Sequence, residues 1–246
     1  MGMLKTIYDY LLGLEGFFRL QQILVRKLNP GAILGEWWVV PMGGQARRSK
    51  KILEIIDNFK PDLIIETGTF IGSTTPILAM ISGVPVVTIE FDKRLALRNK
   101  KNFKRLYPAL EIEQIIGSSE KELRLYLLGV EKSRKVFAYL DAHWFDYLPV
   151  TDELISLVQW GGEFIALIDD FENPYDSGYG FDQYKNGNTI GMHLIPRNLG
   201  LRCFVPAIDS AKEGVNKRGT AYVFSKTVLN KENELIVNEL REVNIS

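Results

Sequence analysis

The chain has 246 residues, long enough to bury one sizeable core, and 46% hydrophobic with 24% charged residues is ordinary globular composition. Thirty basic residues balance thirty acidic ones, so no global field draws the chain to nucleic acid or to an anionic membrane. A single cysteine, Cys203, excludes an internal disulfide and suits a reducing, cytoplasmic compartment.

Ile7 to Leu28 is apolar and aromatic but is interrupted by Asp9, Glu15, Arg19, Arg26 and Lys27. No stretch of it reaches the ~20 apolar residues that cross a bilayer. The segment reads as a helix packing on the domain or on a second copy of the chain, a route to a homo-oligomer. An interfacial membrane helix is the weaker alternative, because basic residues do not dominate its polar face. No secretory signal pattern is apparent. Residues 1–45 therefore read as a helical extension ending in a loop with Trp37, Trp38, Pro41, Gly43 and Gly44, and residues 46–246 as the main domain.

Arg47–Phe59 carries Ile52, Ile55, Ile56 and Phe59 at helical spacing. Beyond it, strands are expected at Leu63–Thr67, Val86–Glu90, Ile112–Ile116, Val136–Leu140, Phe164–Ile168, Cys203–Pro206 and Thr220–Ser225. Helices are expected at Thr74–Ile81, Lys93–Leu106, Ser119–Leu128, Thr151–Trp160 and Thr189–Asn198. Such alternation gives a parallel sheet with helices on both faces.

Polar residues gather where the expected strands end: Glu66, Glu90, Gly117-Ser118-Ser119, Asp141 and Asp169-Asp170. In open α/β sheets ligands bind beyond those ends. Any one acid could instead cap a following helix, as Asp92 is placed to do, but Asp169-Asp170 precede an irregular loop. The first turn, Glu66-Thr67-Gly68-Thr69-Phe70-Ile71-Gly72-Ser73-Thr74, joins strand to helix through two glycines. Glycine lets backbone approach a ligand, and the helix N-terminus offers unpaired N–H groups. The spacing is neither G-x-G-x-x-G nor a phosphate loop: Phe70 and Ser73 stand where glycines are needed, and no lysine follows Gly72. A nicotinamide oxidoreductase is thereby disfavoured. The acid at the strand end suits a ligand with a cationic end and no phosphate.

The succession E-T-G-T-F-I-G-S-T, V-T-I-E-F-D, I-I-G-S-S, Y-L-D-A-H-W and I-D-D-F, within Gly43 to Ser225, resembles the class I S-adenosylmethionine-dependent methyltransferases. The resemblance implies a Rossmann-like, doubly wound α/β fold whose seven-stranded sheet has the order 3-2-1-4-5-7-6 and an antiparallel last strand. It implies that Glu66, Thr67, Gly68, Gly72 and Thr74 surround the methionine part of S-adenosylmethionine. Glu90, with Phe91 beside it, would accept the ribose hydroxyls, Gly117, Ser118 and Ser119 would border the adenine, and Asp141 would close the site. Phe70 would face the sulfonium or simply pack the turn. The Met42–Gln45 loop would cover the cofactor.

Asp141, Asp169 and Asp170 form a second constellation. Three unpaired carboxylates in one cleft repel one another, and magnesium or another hard divalent cation would relieve this through oxygen ligands. The triple is similar to that of the cation-dependent O-methyltransferases, catechol-type and sugar-type, and the resemblance implies that Asp141, Asp169 and Asp170 hold the metal. A metal-bound hydroxyl loses its proton more readily, and His143 or Asp141 could take it. His143 is as readily a histidine fixed by hydrogen bonds, and His193 reads as structural. Catechol-type enzymes carry a lysine three residues after the strand-four Asp, where this chain has Trp144. The expected acceptor is therefore a small molecule with a sugar or natural-product hydroxyl. Glu172–Asn188, with its Asn, Asp and Tyr residues, reads as the acceptor loop or as a solvated connection, and Trp37 and Trp38 as an acceptor wall or as core. Two alternatives stay open: a metal-independent methyltransferase acting on oxygen or nitrogen, and a non-catalytic cofactor-binding interaction protein.

Overall fold

A computed structural model describes residues 41–143, 147–184, 187–213, 216–229 and 236–245. The expected Ile7–Leu28 helix, Trp37, Trp38 and Trp144 lie outside them. Helix α1 (Ala46–Phe59) buries Ile52, Ile55, Ile56 and Phe59 and ends where Lys60 turns left-handed. Arg48, one turn before Ile52 on the same stripe, is buried as well.

Strands β1 (Leu63–Thr67) and β2 (Val86–Glu90) flank helix α2 (Thr75–Ser82), and helix α3 (Lys93–Leu106) leads to β3 (Ile112–Ile116). Helix α4 (Ser119–Leu127), β4 (Lys135–Leu140), helix α5 (Val150–Trp160) and β5 (Glu163–Asp169) follow. Strands β1 and β2 are buried throughout, and β4 and β5 at every position after the first. That is why they read as continuous apolar runs rather than alternating ones. Alternate residues feed two cores: Leu63 and Ile65 share one with Leu154, Leu157 and Trp160 of α5, while Ile64 shares the other with Ile55 and Phe59 of α1 and Ile77 of α2.

With β6 (Arg202–Pro206), β7 (Thr220–Phe224) and β8 (Leu240–Val243) the sheet has eight strands in the order β3-β2-β1-β4-β5-β7-β6-β8. The five strands from β3 to β5 are parallel, β7 is antiparallel to β5 and to β6, and β8 is antiparallel to β6. The expected seven-strand order is therefore present with one edge strand added. The sequence L-R-E-V of β8 buries only Val243, so it carries too little apolar pattern to be read as a strand.

The expected helix at Thr189–Asn198 does not form; only Met192–Leu194 makes a short 3-10 turn. Thr189 bridges to Gln183, Gly191 is extended, and Pro196 stops any helix at its predecessor. Among the described residues no helix is long and apolar enough to cross a membrane.

The chain builds outward from β1 to β3 and then returns to place β4 on the other side of β1, so the crevice opens between the carboxyl ends of β1 and β4. Leu157 is fully buried against this sheet. L157A should lower the urea midpoint by the equivalent of about 2–5 kcal/mol with the slope unchanged, measured by equilibrium unfolding.

Candidate active site

The turn after β1 owes its shape to its two glycines, which do different things. A Cβ on Gly68 (φ 80°) would lie 2.1 Å from the Asp141 carbonyl oxygen, so only glycine lets the β1 and β4 ends meet. A Cβ on Gly72 (φ 75°) would strike the Phe103 ring of α3 at 2.9 Å, which makes Gly72 a packing residue. Phe70 (φ 48°) and Asp170 (φ 53°) hold left-handed backbone that non-glycine residues adopt uncommonly, and both line the cavity below.

Two cavities meet at Gly68 and Phe70. The first, about 500 Å³, is lined by Ile89, Glu90, Phe91, Leu95, Gly117, Ser118, Ser119 and Pro149 among others. Glu90 is fixed at its edge by the backbone N–H groups of Phe70 (2.7 Å) and Asp92 (2.8 Å). Asp92 itself caps α3, accepting from Arg94 N (2.7 Å) and Leu95 N (3.1 Å). Phe91 is 66% exposed, an aromatic face open to whatever enters.

The second cavity, about 330 Å³, is lined by Met42, Gly43, Arg48, Thr74, Tyr139, Asp141, Asp169, Asp170 and Asp182, besides Ser73 and the shared turn. Met42 N donates to Thr74 Oγ1 (3.2 Å), which places the Met42–Gln45 loop against the turn. Glu66, Thr67 and Gly72 line neither cavity. Glu66 sits behind the turn, accepting from the Thr75 and Thr88 hydroxyls at 2.5 and 2.6 Å, and burial pushes its carboxyl up to about 7.

Two arginines that the sequence reading passed over neutralise the acids. Arg48 Nη1 lies 2.5 Å from Asp169 Oδ1 with both side chains buried, and Tyr139 donates to Asp169 Oδ2 at 2.7 Å. Asp169 Oδ1 also accepts from Asp170 N (2.7 Å), so both oxygens of Asp169 are engaged by protein. Arg218 Nε donates to Asp170 Oδ1 (2.5 Å) and Nη2 to Asp182 Oδ1. Burial opposes ionisation of Asp170, but His143 and Arg218 overcome it and hold its carboxyl well below the usual range. Asp141 is pushed well up, by burial first and then by the charges of Asp169 and Asp170.

His143 is buried, with Nε2 at 3.4 Å from Asp141 Oδ1 and 3.8 Å from Asp170 Oδ2. Neither ring nitrogen makes a hydrogen bond with a described residue, and the Tyr184 hydroxyl donates to its carbonyl. His143, Asp170 and Asp182 are the three groups among the described residues whose ligand atoms converge, all within 4.8 Å of one another. Asp141, Asp169 and Asp170 do not form such a group, so the donors expected to hold magnesium do not fit it: Asp169 is spent on Arg48 and Tyr139. His193, in the short 3-10 turn, lines neither cavity.

No family model and no curated protein matches the chain. Solved structures do. A Klebsiella pneumoniae protein proposed to be an O-methyltransferase is 12% identical over 90% of this chain and 97% of its own, with a TM-score of 0.56. The two chains share a fold. TomG of Streptomyces achromogenes, an O-methyltransferase of tomaymycin synthesis solved with S-adenosylmethionine, is 13% identical over 89% and 96%, with a TM-score of 0.53. An O-methyltransferase from Bacillus cereus, solved with S-adenosylhomocysteine, is 14% identical over 91% and 100%, with a TM-score of 0.51.

Glu153 is fully buried in the first turn of α5. Burial pushes its carboxyl up to about 7, with the Ser119 and Thr67 hydroxyls and His143 offsetting part of the effect. An acid raised in the folded state keeps its proton longer than the unfolded chain does, so stability falls as pH rises from about 4.5 to about 7. E153Q should remove its share of that fall, at most ~3 kcal/mol, leaving the comparable share of Glu66, as read from unfolding midpoints between pH 4.5 and 8.

Proposed function

We propose that the protein is an S-adenosylmethionine-dependent methyltransferase that methylates a hydroxyl of a small molecule. The observation that carries this is the junction of the two cavities at Gly68 and Phe70, with a nucleoside-sized, largely apolar chamber on one side and an acidic one on the other. The lining of the larger chamber fits an adenosine: apolar walls from Ile89, Phe91, Leu95 and Pro149, and a fixed carboxylate, Glu90, for a pair of hydroxyls. Gly68, Phe70 and Thr74 would take the methionine end, and Ser118 and Ser119 the base. Glu66, Thr67 and Gly72 would act on the cofactor only by shaping the turn. When bound, S-adenosylmethionine supplies an electrophilic methyl group.

The acidic chamber would receive the acceptor. Its proton would go to His143 or Asp141, whose reactive atoms lie 3.4 Å apart. Asp169, one of the three donors expected for magnesium, is engaged by Arg48 and Tyr139, so the proton is left to His143 and Asp141. The loop from Glu172 carries Asp182 to the chamber wall and Tyr184 to the His143 carbonyl, which favours it as the element that reads the acceptor. Residues 46–246 form the methyltransferase domain in this reading, with residues 1–45 as its extension.

Calorimetry with S-adenosylhomocysteine tests the cofactor half. One molecule should bind per chain, and E90A should weaken it about tenfold or more through loss of hydrogen bonds to a charged group; a chain that binds none sinks the proposal. H143A should lower kcat for hydroxylated acceptors by about 10²–10⁴ while leaving S-adenosylhomocysteine affinity within a few fold, as measured by methyl-transfer assay.

A further inference from the structure

Asp141, Asp169, Asp170 and Asp182 bring four carboxyl groups to the acidic chamber. Arg48 cancels Asp169, and Arg218 cancels one more by bridging Asp170 and Asp182. Four carboxyl groups thus meet two guanidinium groups, and His143 stands among them. That histidine is 2% exposed, and neither ring nitrogen has a hydrogen-bond partner among the described residues. A buried imidazole without partners is costly unless something binds it. Its Nε2 points among the carboxylates.

We propose that His143, Asp170 and Asp182 form a site for a first-row transition-metal dication, bound through the imidazole and one oxygen of each carboxylate. The three ligand atoms already lie within 4.8 Å of one another. Ligands about 2.1 Å from a shared ion stand about 3.4 Å apart in a tetrahedral arrangement, so closing the site takes side-chain shifts of up to about an ångström. Arg218 holds the Oδ1 atom of both aspartates, an outer contact of the kind that orients ligating carboxylates. Asp170 Oδ2, which faces His143, is turned toward the site. A donor set of one imidazole and two carboxylates favours manganese, iron, cobalt or zinc over magnesium, which takes oxygen donors. The ion would occupy His143 Nε2 and leave Asp141 as the proton acceptor. Only that last role rests on the methyl-transfer reading; binding of the ion does not.

Protein stripped with a chelator and exchanged into metal-free buffer is titrated with Co²⁺ and followed by visible absorption, with Zn²⁺ and Mg²⁺ as competitors. S-adenosylhomocysteine binding is measured in parallel. The wild type should saturate at one Co²⁺ per chain, displaced by Zn²⁺ but not by an equal concentration of Mg²⁺. H143A and D182N should each weaken the ion about tenfold or more and still bind S-adenosylhomocysteine. Asp182 is a loop side chain 40% exposed, so D182N decides the matter should H143A fail to fold. No saturable cobalt spectrum, a wild-type titration in either folded variant, or displacement by equal Mg²⁺ overturns the site. Cobalt binding without S-adenosylhomocysteine binding leaves the site standing and removes the methyl-transfer reading; the reverse result does the opposite.

Discussion

The buried pair between Arg48 and Asp169 is the constraint on which the rest of the site depends. Arg48 also donates to the carbonyls of Arg218 and Gly219 at 3.2 Å each, so one guanidinium ties α1 to the end of β5 and to the chain entering β7. Taking two charges out of water is expensive and is offset only when the remaining hydrogen bonds are made. Here Tyr139 and the Asp170 N–H complete the carboxylate. The same pair settles what Asp169 is. An aspartate whose two oxygens are filled by protein is an anchor, and the neighbouring Asp170, turned into left-handed backbone, directs its Oδ2 toward His143.

From that anchor the electrostatics divide the crevice in two. On the side of the larger cavity Glu90 is held by the backbone N–H groups of Phe70 and Asp92. On the other side carboxylates, arginines and a histidine crowd together, and each ionisation depends on its neighbours. Gly68 lets the two chambers touch, since any side chain there would press on the Asp141 carbonyl. The two cavities are joined by a close backbone approach rather than by a flexible arm.

Much of this was legible in the sequence because parallel strands buried on both faces are plain apolar runs, and their polar ends are abrupt. β1, β2, β3 and α3 have the bounds expected of them. The cation partners were not seen, although Arg48 falls at the i−4 position of Ile52 on the stripe that Ile55 and Phe59 continue. A charge on a core stripe facing three acids elsewhere in the chain is the signal that would have found it. Arg218 and Asp182 meet only through loop packing, which no periodicity records. Gly72 looked like part of the ligand turn because spacing cannot tell a glycine that admits a ligand from one that admits a helix. The segment after Thr189 has apolar residues at helical intervals, but Gly191 and Pro196 interrupt it and tertiary packing buries Ile190 and Ile195 without a helix.

The hydrogen bond from the Tyr184 hydroxyl to the His143 carbonyl joins the loop beyond β5 to the strand end beyond β4. Tyr184 and Asp182 sit two residues apart, and Asp182 reaches the chamber through Arg218. Any ligand that shifts this loop therefore shifts the imidazole by the same lever, and any shift of the imidazole is returned to the loop. In the methyl-transfer reading proposed above, selectivity and reactivity would then be mechanically one degree of freedom. A lineage or an engineer that reshapes the loop to admit a new molecule must retune the histidine in the same step.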